Sequence, residues 1–363
     1  MVHTALYRKY RPAVFADVQG QSHIVDVLES SIESGRIAHA YLFAGSRGTG
    51  KTSIARIFAR ALKTSDNDIY EIDAASNRGI DDIRAIRDGV SVLPLESTYK
   101  VYIIDEVHML TKEAFNALLK TLEEPPKHVI FILATTELSK LPETVVSRCQ
   151  VFTFKKPSRE ILRGVVSSVA KKEGFALEAG VADLIATLGD GSFRDTLGTL
   201  QKVVSSVAMP AGSGAEKSAD KKTAAAKVTL AEAEQITGAP KNTVVNDFLE
   251  AVVKGDAPRA LSAIAAASTS GVGISVFLSL VLEKARIVLL LKIAKPDIAD
   301  LFSAEDAALL QALAAEPQSH LNAAALALLL RAYDETSRAY IPTLPLELAV
   351  VGIVGQNKAQ AGA

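Results

Sequence analysis

The run Gly45-Ser-Arg-Gly-Thr-Gly-Lys-Thr52 is a complete match to the pattern GxxxxGK(S/T). Glycines in such a loop let the backbone wrap closely around phosphates, with its N–H groups turned inward. The ammonium group of Lys51 can reach the β- and γ-phosphates, and the Thr52 hydroxyl can ligate Mg²⁺. The pattern therefore predicts a site for a nucleoside triphosphate. The residues expected to hold the nucleotide here are Gly45, Ser46, Arg47, Gly48, Thr49, Gly50, Lys51, Thr52 and Ser53.

A pair of carboxylates follows the apolar run that ends at Ile104. Asp105, at the tip of a buried strand beside the phosphate loop, suits a ligand of Mg²⁺ through water. Glu106 is placed to orient and deprotonate an attacking water. An acidic pair after a strand, taken alone, favours a helix N-cap, but next to a phosphate loop hydrolysis is the better interpretation. His108 could face the site, although a lone histidine here favours a structural role.

Thr135 and Thr136 end another apolar run, from Val129 to Ala134. A polar side chain at this place would lie between the carboxylates and the γ-phosphate and could hold the attacking water. Spacing alone gives equal weight to two threonines that simply end a strand. Both interpretations stay open at this point.

Alternating strands and helices must position these side chains. The apolar runs predict strands at Ala40–Ala44, Ile69–Asp73, Val101–Asp105 and Val129–Leu133. Helical spacing of apolar residues predicts helices at Ser53–Lys63, Asp81–Val92 and Lys112–Glu123. This alternation indicates a parallel sheet with helices on both faces. The phosphate-loop pattern follows a strand and opens a helix, which disfavours a chance glycine turn.

The rest of the chain has a helical texture and divides into further segments. Residues 157–207 have no comparable strand; helices are expected from near Arg159, over Leu177–Leu188 and over Arg194–Val204. Residues 209–227 are low in complexity and predict a flexible linker. Residues 229–232 have capping-box spacing and restart a helix. The expected boundaries are 1–156, 157–207, 208–240 for the linker and a connecting helix, 241–357 for an Ala/Leu-rich bundle, and 358–363 for a disordered tail.

Composition restricts the class of protein. Of 363 residues, 48% are hydrophobic and 22% charged, which excludes a mostly disordered or collagen-like chain. The net charge of −1 argues against coating nucleic acid by bulk positive charge. The single cysteine, Cys149, excludes an intramolecular disulfide framework and a cysteine-cluster zinc site. The longest apolar stretch is too short to span a bilayer and the N-terminus has no secretory pattern, so a cytoplasmic protein is expected.

Several segments together resemble the gamma/tau subunit of bacterial DNA polymerase III, the AAA+ motor of the sliding-clamp loader. The resemblance runs over nearly the whole chain and is strongest from Ala5 to Asp195. It implies an α/β P-loop AAA+ domain, then an all-α lid and an all-α C-terminal collar. The segments that carry it are Tyr7-Arg-Lys-Tyr-Arg-Pro12, Phe15 to Gln21, His39 to Phe43, Gly45 to Thr52, Glu71 to Gly79, Asp105 to Met109, Ala134 to Thr136, Ser147-Arg-Cys149 and Gly191 to Asp195.

The resemblance assigns roles that spacing alone could not. It implies that Thr136 is the sensor-1 residue and that Arg194 is the sensor-2 arginine of the lid. Arg148 is similar to the arginine finger, which would act in the ATP site of an adjacent subunit and so implies an oligomer. Without the family match of its neighbours Ser147 and Cys149, Arg148 would be interpreted as an exposed loop arginine. The residues in the segment that packs over adenine in this family are Tyr7, Arg11 and Val18, in what could otherwise be only a basic N-terminal arm.

The implied activity is ATP-driven loading of a sliding clamp, with ATP and Mg²⁺ as cofactors. ATP binding would hold and open the clamp at a primer–template junction, and hydrolysis would release it on DNA. The implied partners are delta, delta-prime and further gamma/tau subunits in an open ring, the sliding clamp and primer–template DNA. The family belongs to the DNA-directed DNA polymerase III holoenzyme, although this chain shows no polymerase active site. A non-hydrolysing stator subunit and a branch-migration helicase motor are the alternatives.

Two features of the chain depart from the pattern of this family. A four-cysteine zinc module usually follows the first helix after the phosphate loop in this family; residues 61–69 contain no cysteine, so we expect no zinc. The given sequence ends at Ala363, so a gamma-like core without the C-terminal extensions of tau is expected, and whether the natural chain is longer stays open. Helix N-termini can grip duplex phosphates. Arg78, Thr111 and Lys112 are the candidates for DNA contact, with ordinary helix caps and a solvated lysine as the equal alternative.

Overall fold

The computed structural model describes residues 4–208, 226–269, 273–294, 302 and 304–360. The strands are β1 (Ala40–Ala44), β2 (Ile69–Asp73), β3 (Lys100–Asp105), β4 (Val129–Thr135), β5 (Gln150–Thr153), β6 (Phe175–Leu177) and β7 (Ala226–Val228). The α-helices are α1 (Leu6–Lys9), α2 (Ser22–Glu33), α3 (Lys51–Ala61), α4 (Ile80–Val90), α5 (Lys112–Glu123), α6 (Glu143–Val146), α7 (Arg159–Lys172), α8 (Val181–Leu188), α9 (Phe193–Ala208), α10 (Leu230–Thr237), α11 (Asn242–Lys254), α12 (Ala257–Thr269), α13 (Ile274–Ile293), α14 (Ala304–Ala315), α15 (Ala323–Thr336) and α16 (Leu344–Gln360).

Five parallel strands form the main sheet in the order β2-β3-β4-β1-β5. The central strands β1, β3 and β4 are rich in aliphatic and aromatic residues and are buried on both faces, as expected for a parallel sheet covered by helices. β4 lies between β3 and β1. The carboxyl ends of β1, β3 and β4 therefore meet at one edge of the sheet. The phosphate loop, the Asp105–Glu106 pair and Thr136 lie at these three ends.

Alternate residues of each central strand pack on opposite faces, because successive side chains of a strand point in opposite directions. On one face, Leu42, Ile104 and Phe131 share a core with side chains of α4 and α5. On the other, Phe43 and Ile103 share a core with side chains of α2 and α3. This two-sided packing fixes α3 and α5, whose first residues follow the phosphate loop and the Asp105 segment.

The chain divides into two compact units. One unit extends up to Leu162 and includes Gly189–Gly198; the other comprises Arg163–Leu188 and the chain from Thr199 onward. The second unit is mainly helical, with a continuous apolar core drawn from α11–α16. A polar cluster is buried in it. Lys284 Nζ lies 3.1 Å from Asp306 Oδ1 and donates to the side-chain oxygens of Asn242 and Asn246.

The predicted strands and helices of the first unit are confirmed, with shifts of at most two residues. The prediction for the next segment is wrong in part: Phe175–Leu177 is a strand, and the helix expected from Leu177 begins at Val181. The reason is a pairing distant in sequence, since β6 pairs in parallel with β7. The predicted linker lies outside the described residues except for its last two positions, 226 and 227, which belong to β7.

The capping box predicted at the start of α10 is confirmed: Thr229 Oγ1 accepts from the backbone N–H of Glu232, and Glu232 Oε2 accepts from the backbone N–H of Thr229. α16 continues to Gln360, so residues 358–360 of the predicted disordered tail are helical; residues 361–363 lie outside the described part of the chain. The three-part division into nucleotide domain, lid and collar stays a prediction. Among the described residues, no helix combines the length and apolarity needed to cross a membrane.

Candidate nucleotide site

The phosphate loop leaves the carboxyl end of β1 and closes on the sheet. The backbone N–H of Gly45 donates to the carbonyl of Thr135 on the neighbouring strand, at 3.1 Å. Gly50 has φ of 104° and immediately precedes α3. This backbone conformation is open to glycine and strained for other residues. The N-terminus of α3 is therefore directed into the hollow that the loop forms. A helix N-terminus in such a place binds phosphate.

Gly48 allows a second close approach. Its φ is 76°, and a Cβ atom added to it would lie 1.9 Å from Ser192 Oγ. The carbonyl of Gly48 also accepts a hydrogen bond from the backbone N–H of Phe193, at 3.0 Å. The segment that precedes α9 thus lies directly against the phosphate loop. The GxxxxGK(S/T) pattern allows any residue at position 48, so this close approach, and not the pattern, explains why Gly48 is a glycine.

Lys51 is almost fully buried within the loop. Its side chain donates to the carbonyls of Gly45, at 2.7 Å, and Ser46, at 3.0 Å. Burial lowers the pKa of Lys51, while the carboxylates of Glu106 and Asp105 act in the opposite direction. A buried ammonium group enclosed by a glycine-rich loop fits a polyphosphate, because phosphate oxygens would supply the charge that carbonyl oxygens supply only in part.

Thr52 and Asp105 meet at the base of the loop. The Thr52 hydroxyl donates to Asp105 Oδ2 at 2.7 Å. A hydroxyl and a carboxylate in contact offer only oxygen ligands, which is the donor set that Mg²⁺ prefers. These two residues therefore fit the magnesium ion predicted from the sequence.

Glu106 is held by the residue that follows β4. Its Oε2 accepts from Thr136 Oγ1 at 3.0 Å and from the backbone N–H of Thr136 at 3.3 Å. Glu106 itself is in the left-handed backbone region, with φ of 49°. The structure therefore brings the predicted base and the predicted sensor threonine into direct contact.

His108 lies beside this pair. Its Nδ1 is 3.0 Å from Thr135 Oγ1 and 3.5 Å from Glu106 Oε2, and its Nε2 is 3.5 Å from Glu137 Oε1. The side chain is largely buried. His108 is thus packed between two carboxylates at the carboxyl end of β4, and the structural role expected from the sequence stays a prediction.

The N-terminal arm contacts both α3 and the start of α9. Arg11 Nε donates to Ser53 Oγ at 2.9 Å, and burial lowers the pKa of Arg11. The guanidinium of Arg194 lies 5.0 Å from the centroid of the Tyr7 ring, within range of a cation–π contact. Val18 is half-buried against the core on the α2–α3 face of the sheet. The structure brings Tyr7 and Arg194, predicted from separate segments, together.

Arg148 is hydrogen-bonded to residues outside the phosphate loop. Its Nη2 donates to Glu123 Oε1 at 2.6 Å, and its Nη1 donates to the carbonyl of Thr144 at 2.7 Å. Its side chain is 33% exposed. An arginine that serves another subunit's site would have this kind of position, half-exposed and outside the chain's own phosphate site.

The three candidate DNA-contact residues lie at adjacent helix starts. The backbone N–H of Thr111 donates to the carbonyl of Arg78 at 3.3 Å. Thr111 Oγ1 caps α5 by accepting from the backbone N–H of Ala114, and Arg78 Nε donates to the carbonyl of Ala75. Lys112 is exposed. The N-termini of α4 and α5 are therefore close together, although the capping role of Thr111 also suits the ordinary alternative.

Sequence reasoning missed the role of Gln21 in shaping the site. Its side chain is fully buried and bridges two backbone segments. Nε2 donates to the carbonyl of Lys155 at 2.7 Å, and Oε1 accepts from the backbone N–H of Lys155 at 3.2 Å. Nε2 also lies 3.5 Å from the carbonyl of Thr49 in the phosphate loop. No pattern around Gln21 signals these contacts, because its partners lie 28 and 134 residues away.

Comparison with protein families finds two matches. The family model described as DNA polymerase III, delta subunit, matches residues 20–77 and 63–158. The family model described as DNA polymerase III subunits gamma and tau domain III matches residues 228–360. The two matched regions lie in the α/β part and the C-terminal helical part of the chain.

Among curated proteins, DNA polymerase III subunit tau of Bacillus subtilis is 48% identical over 226 residues, covering 56% of this chain and 40% of its own length. DNA polymerase III subunit gamma/tau of Mycobacterium tuberculosis is 36% identical over 318 residues, covering 81% of this chain and 52% of its own length. The chain thus spans about half the length, or less, of these relatives.

Among solved structures, the RuvB Holliday junction branch migration motor of Thermotoga maritima matches with a TM-score of 0.51 and 20% identity. The match covers 76% of this chain and 91% of that one. At this level of identity the likeness concerns the fold alone. It agrees with a parallel sheet flanked by helices and followed by helical regions.

Proposed function

Because the chain belongs to the family of DNA polymerase III gamma and tau subunits, we propose that it binds and hydrolyses ATP as a motor of the clamp loader. In this proposal, ATP binding opens and holds the sliding clamp at primed DNA, and hydrolysis releases it there. The AAA+ fold supports the proposal. No polymerase chemistry is assigned to this chain.

One observation favours ATP hydrolysis over nucleotide binding without hydrolysis. The structure gathers a buried lysine, a hydroxyl–carboxylate pair and a second carboxylate, Glu106, held by Thr136 at one edge of the sheet. A subunit that only bound nucleotide would need no oriented base. The intact set therefore supports a motor in preference to a non-hydrolysing stator.

We propose one role for each residue of the site. The loop N–H groups and Lys51 bind the β- and γ-phosphates. Thr52 and Asp105 would hold Mg²⁺, which when bound neutralises charge on the phosphate oxygens. The Glu106 carboxylate accepts the proton of the attacking water, and Thr136 keeps that carboxylate at the correct place through its hydrogen bonds to Oε2. Tyr7, Arg11 and Val18 are proposed to cover the base, as in the family.

The ATP site is proposed to be completed by a neighbouring subunit. Arg148, half-exposed and outside its own chain's phosphate loop, would reach the γ-phosphate bound by the adjacent protomer, while Arg194 would contact nucleotide in its own chain. A cation at that position can contribute a rate factor of about 10³–10⁵. The proposed organisation is a nucleotide domain, lid and collar, with the collar joining copies of this chain to delta and delta-prime. The clamp and primer–template DNA are the proposed partners of the ring.

Two variants test the assignment. Lys51→Ala removes the buried ammonium group and should abolish ATP binding, measured by titration with a fluorescent ATP analogue. Arg148→Ala should leave binding nearly unchanged and lower the turnover of the assembled ring by about tenfold or more. Unchanged nucleotide affinity of Lys51→Ala would refute the site, and unchanged turnover of Arg148→Ala would refute the finger.

A further inference from the structure

The proposed finger, Arg148, is bound on its own protomer. Both terminal nitrogens of its guanidinium are occupied, Nη2 by Glu123 Oε1 at 2.6 Å and Nη1 by the carbonyl of Thr144 at 2.7 Å. Nη1 also lies 3.5 Å from Ser147 Oγ. These terminal N–H groups are the donors that an arginine presents in a fork to carboxylate or phosphate. The carboxylate of Glu123 therefore occupies a donor that the neighbour's phosphate would need.

We propose that Glu123 restrains Arg148, so that the finger leaves its own protomer only when the adjacent site presents a sufficiently strong anion. The proposal rests on the proposed function, in which Arg148 completes the neighbour's ATP site. Glu123 touches neither nucleotide nor water in this account, so it is a positioning residue for Arg148. The contact between Glu123 and Arg148 keeps ATP turnover low in a ring whose subunits are not yet correctly docked.

Neither helix stability nor packing favours a glutamate at position 123. Glu123 is the last residue of α5, where a negative charge opposes the partial negative charge of the helix end. Its side chain is 49% exposed, so packing does not require it. The charge is unfavourable for the helix itself, and its favourable partner in the described part of the chain is Arg148, at 2.6 Å.

The two residues are held at a fixed separation by their surroundings. Phe115, Leu118 and Leu122 of α5 are buried in the same apolar core as Val145 of α6, and Cys149 packs against that core. Arg148 lies between Val145 and Cys149 in the sequence. The backbone that carries the finger is therefore anchored, and the contact can be exchanged by a change of the Arg148 side chain alone.

The test compares ATP turnover in the reconstituted ring, without clamp or DNA, for Glu123→Gln, Arg148→Ala and the double variant. Glu123→Gln keeps the shape of the side chain and removes its charge. It should raise turnover by about two- to fivefold, the range set by an exposed ion pair. The matched control is Glu124→Gln, which changes the same charge at the next, exposed residue. Glu124→Gln should leave turnover unchanged, and nucleotide affinity should be the same in all variants.

The double variant separates this role from a structural one. If Glu123 acts through Arg148, then Glu123→Gln has no further effect once Arg148 is alanine. A rise of the same size in the Arg148→Ala background, or no rise or a fall in the single variant, would overturn the proposal. If Arg148→Ala itself leaves turnover unchanged, the finger of the proposed function fails, and that result is distinct from failure of Glu123 alone.

Discussion

Replacing Gly48 by alanine tests whether the phosphate loop depends on its contact with the segment before α9. Two costs arise. The left-handed backbone conformation, at φ of 76°, costs about 1–2 kcal/mol for a residue with a Cβ atom. The new Cβ atom would lie 1.9 Å from Ser192 Oγ and 2.9 Å from Ser192 Cβ, and forcing these atoms apart costs about 1–3 kcal/mol. We expect a total loss of about 2–5 kcal/mol in the free energy of unfolding.

Two further variants separate these costs. Gly35 has φ of 66° and no heavy atom within 4 Å of an added Cβ atom, so Gly35→Ala measures the backbone cost alone. Adding Ser192→Gly to Gly48→Ala removes the two closest clashing atoms and should restore the steric part, about 1–3 kcal/mol. Ser192 caps the start of α9, since its Oγ accepts from the backbone N–H of Asp195 at 3.2 Å. Ser192→Gly alone should therefore cost only a few tenths of a kcal/mol, about the cost of exchanging a helix N-cap for glycine.

The assay is urea denaturation followed by circular dichroism, with ATP affinity measured in parallel. The clash displaces the loop backbone that surrounds Lys51, so Gly48→Ala should also weaken ATP binding, whereas Gly35→Ala should not. The reasoning is refuted if Gly48→Ala is no more destabilising than Gly35→Ala, or if Ser192→Gly does not rescue it.

Three other expectations concern residues outside the loop. Lys284→Met leaves the buried Asp306 carboxylate without its ammonium partner and should lower the free energy of unfolding by about 3–5 kcal/mol; a loss below 1 kcal/mol in urea denaturation would contradict this. Burial acts to raise the pKa of Asp68, but hydrogen bonds from the backbone N–H groups of residues 95–97 lower it overall. Asp68→Asn should therefore destabilise the protein near pH 7, by about 1–3 kcal/mol. The difference should shrink as the pH falls below about 4 and through the lowered pKa of the folded state, because only below that pKa is the carboxylate protonated in both states; a difference independent of pH would contradict this. Burial raises the pKa of the Cys149 thiol by about two units, to about 11, so at pH 7.5 iodoacetamide should modify it about 100-fold more slowly than an unperturbed thiol; equal rates in native protein and in urea would contradict this.

Strands β1 to β4, helices α3, α4 and α5 and the phosphate loop could be predicted because their signals are local. Val101–Asp105 is a continuous apolar run that ends in a carboxylate, and Gly45–Thr52 carries its own spacing pattern. Parallel pairing then brings the carboxyl ends of neighbouring strands to one edge, which explains why Thr52, Asp105 and Glu106 could be expected together.

Contacts between distant segments could not be predicted in the same way. β6 exists because it pairs with β7, about 50 residues later in the chain, and three residues without that partner look helical. The bridge made by Gln21 and the pairing of Arg148 with Glu123 depend on side chains that meet only in the folded state. The glycine at position 48 is explained by Ser192, far away in sequence, and not by the motif that contains it.

ATP turnover of the reconstituted ring with different DNA structures tests the central claim most directly. The measurement compares the sliding clamp plus primed DNA with a four-way DNA junction, at equal DNA concentration. A clamp-loader motor predicts that turnover rises with clamp and primed DNA and stays at its basal value with the junction. Turnover that rises only with the junction, or that ignores the clamp and primed DNA, would contradict the proposed function.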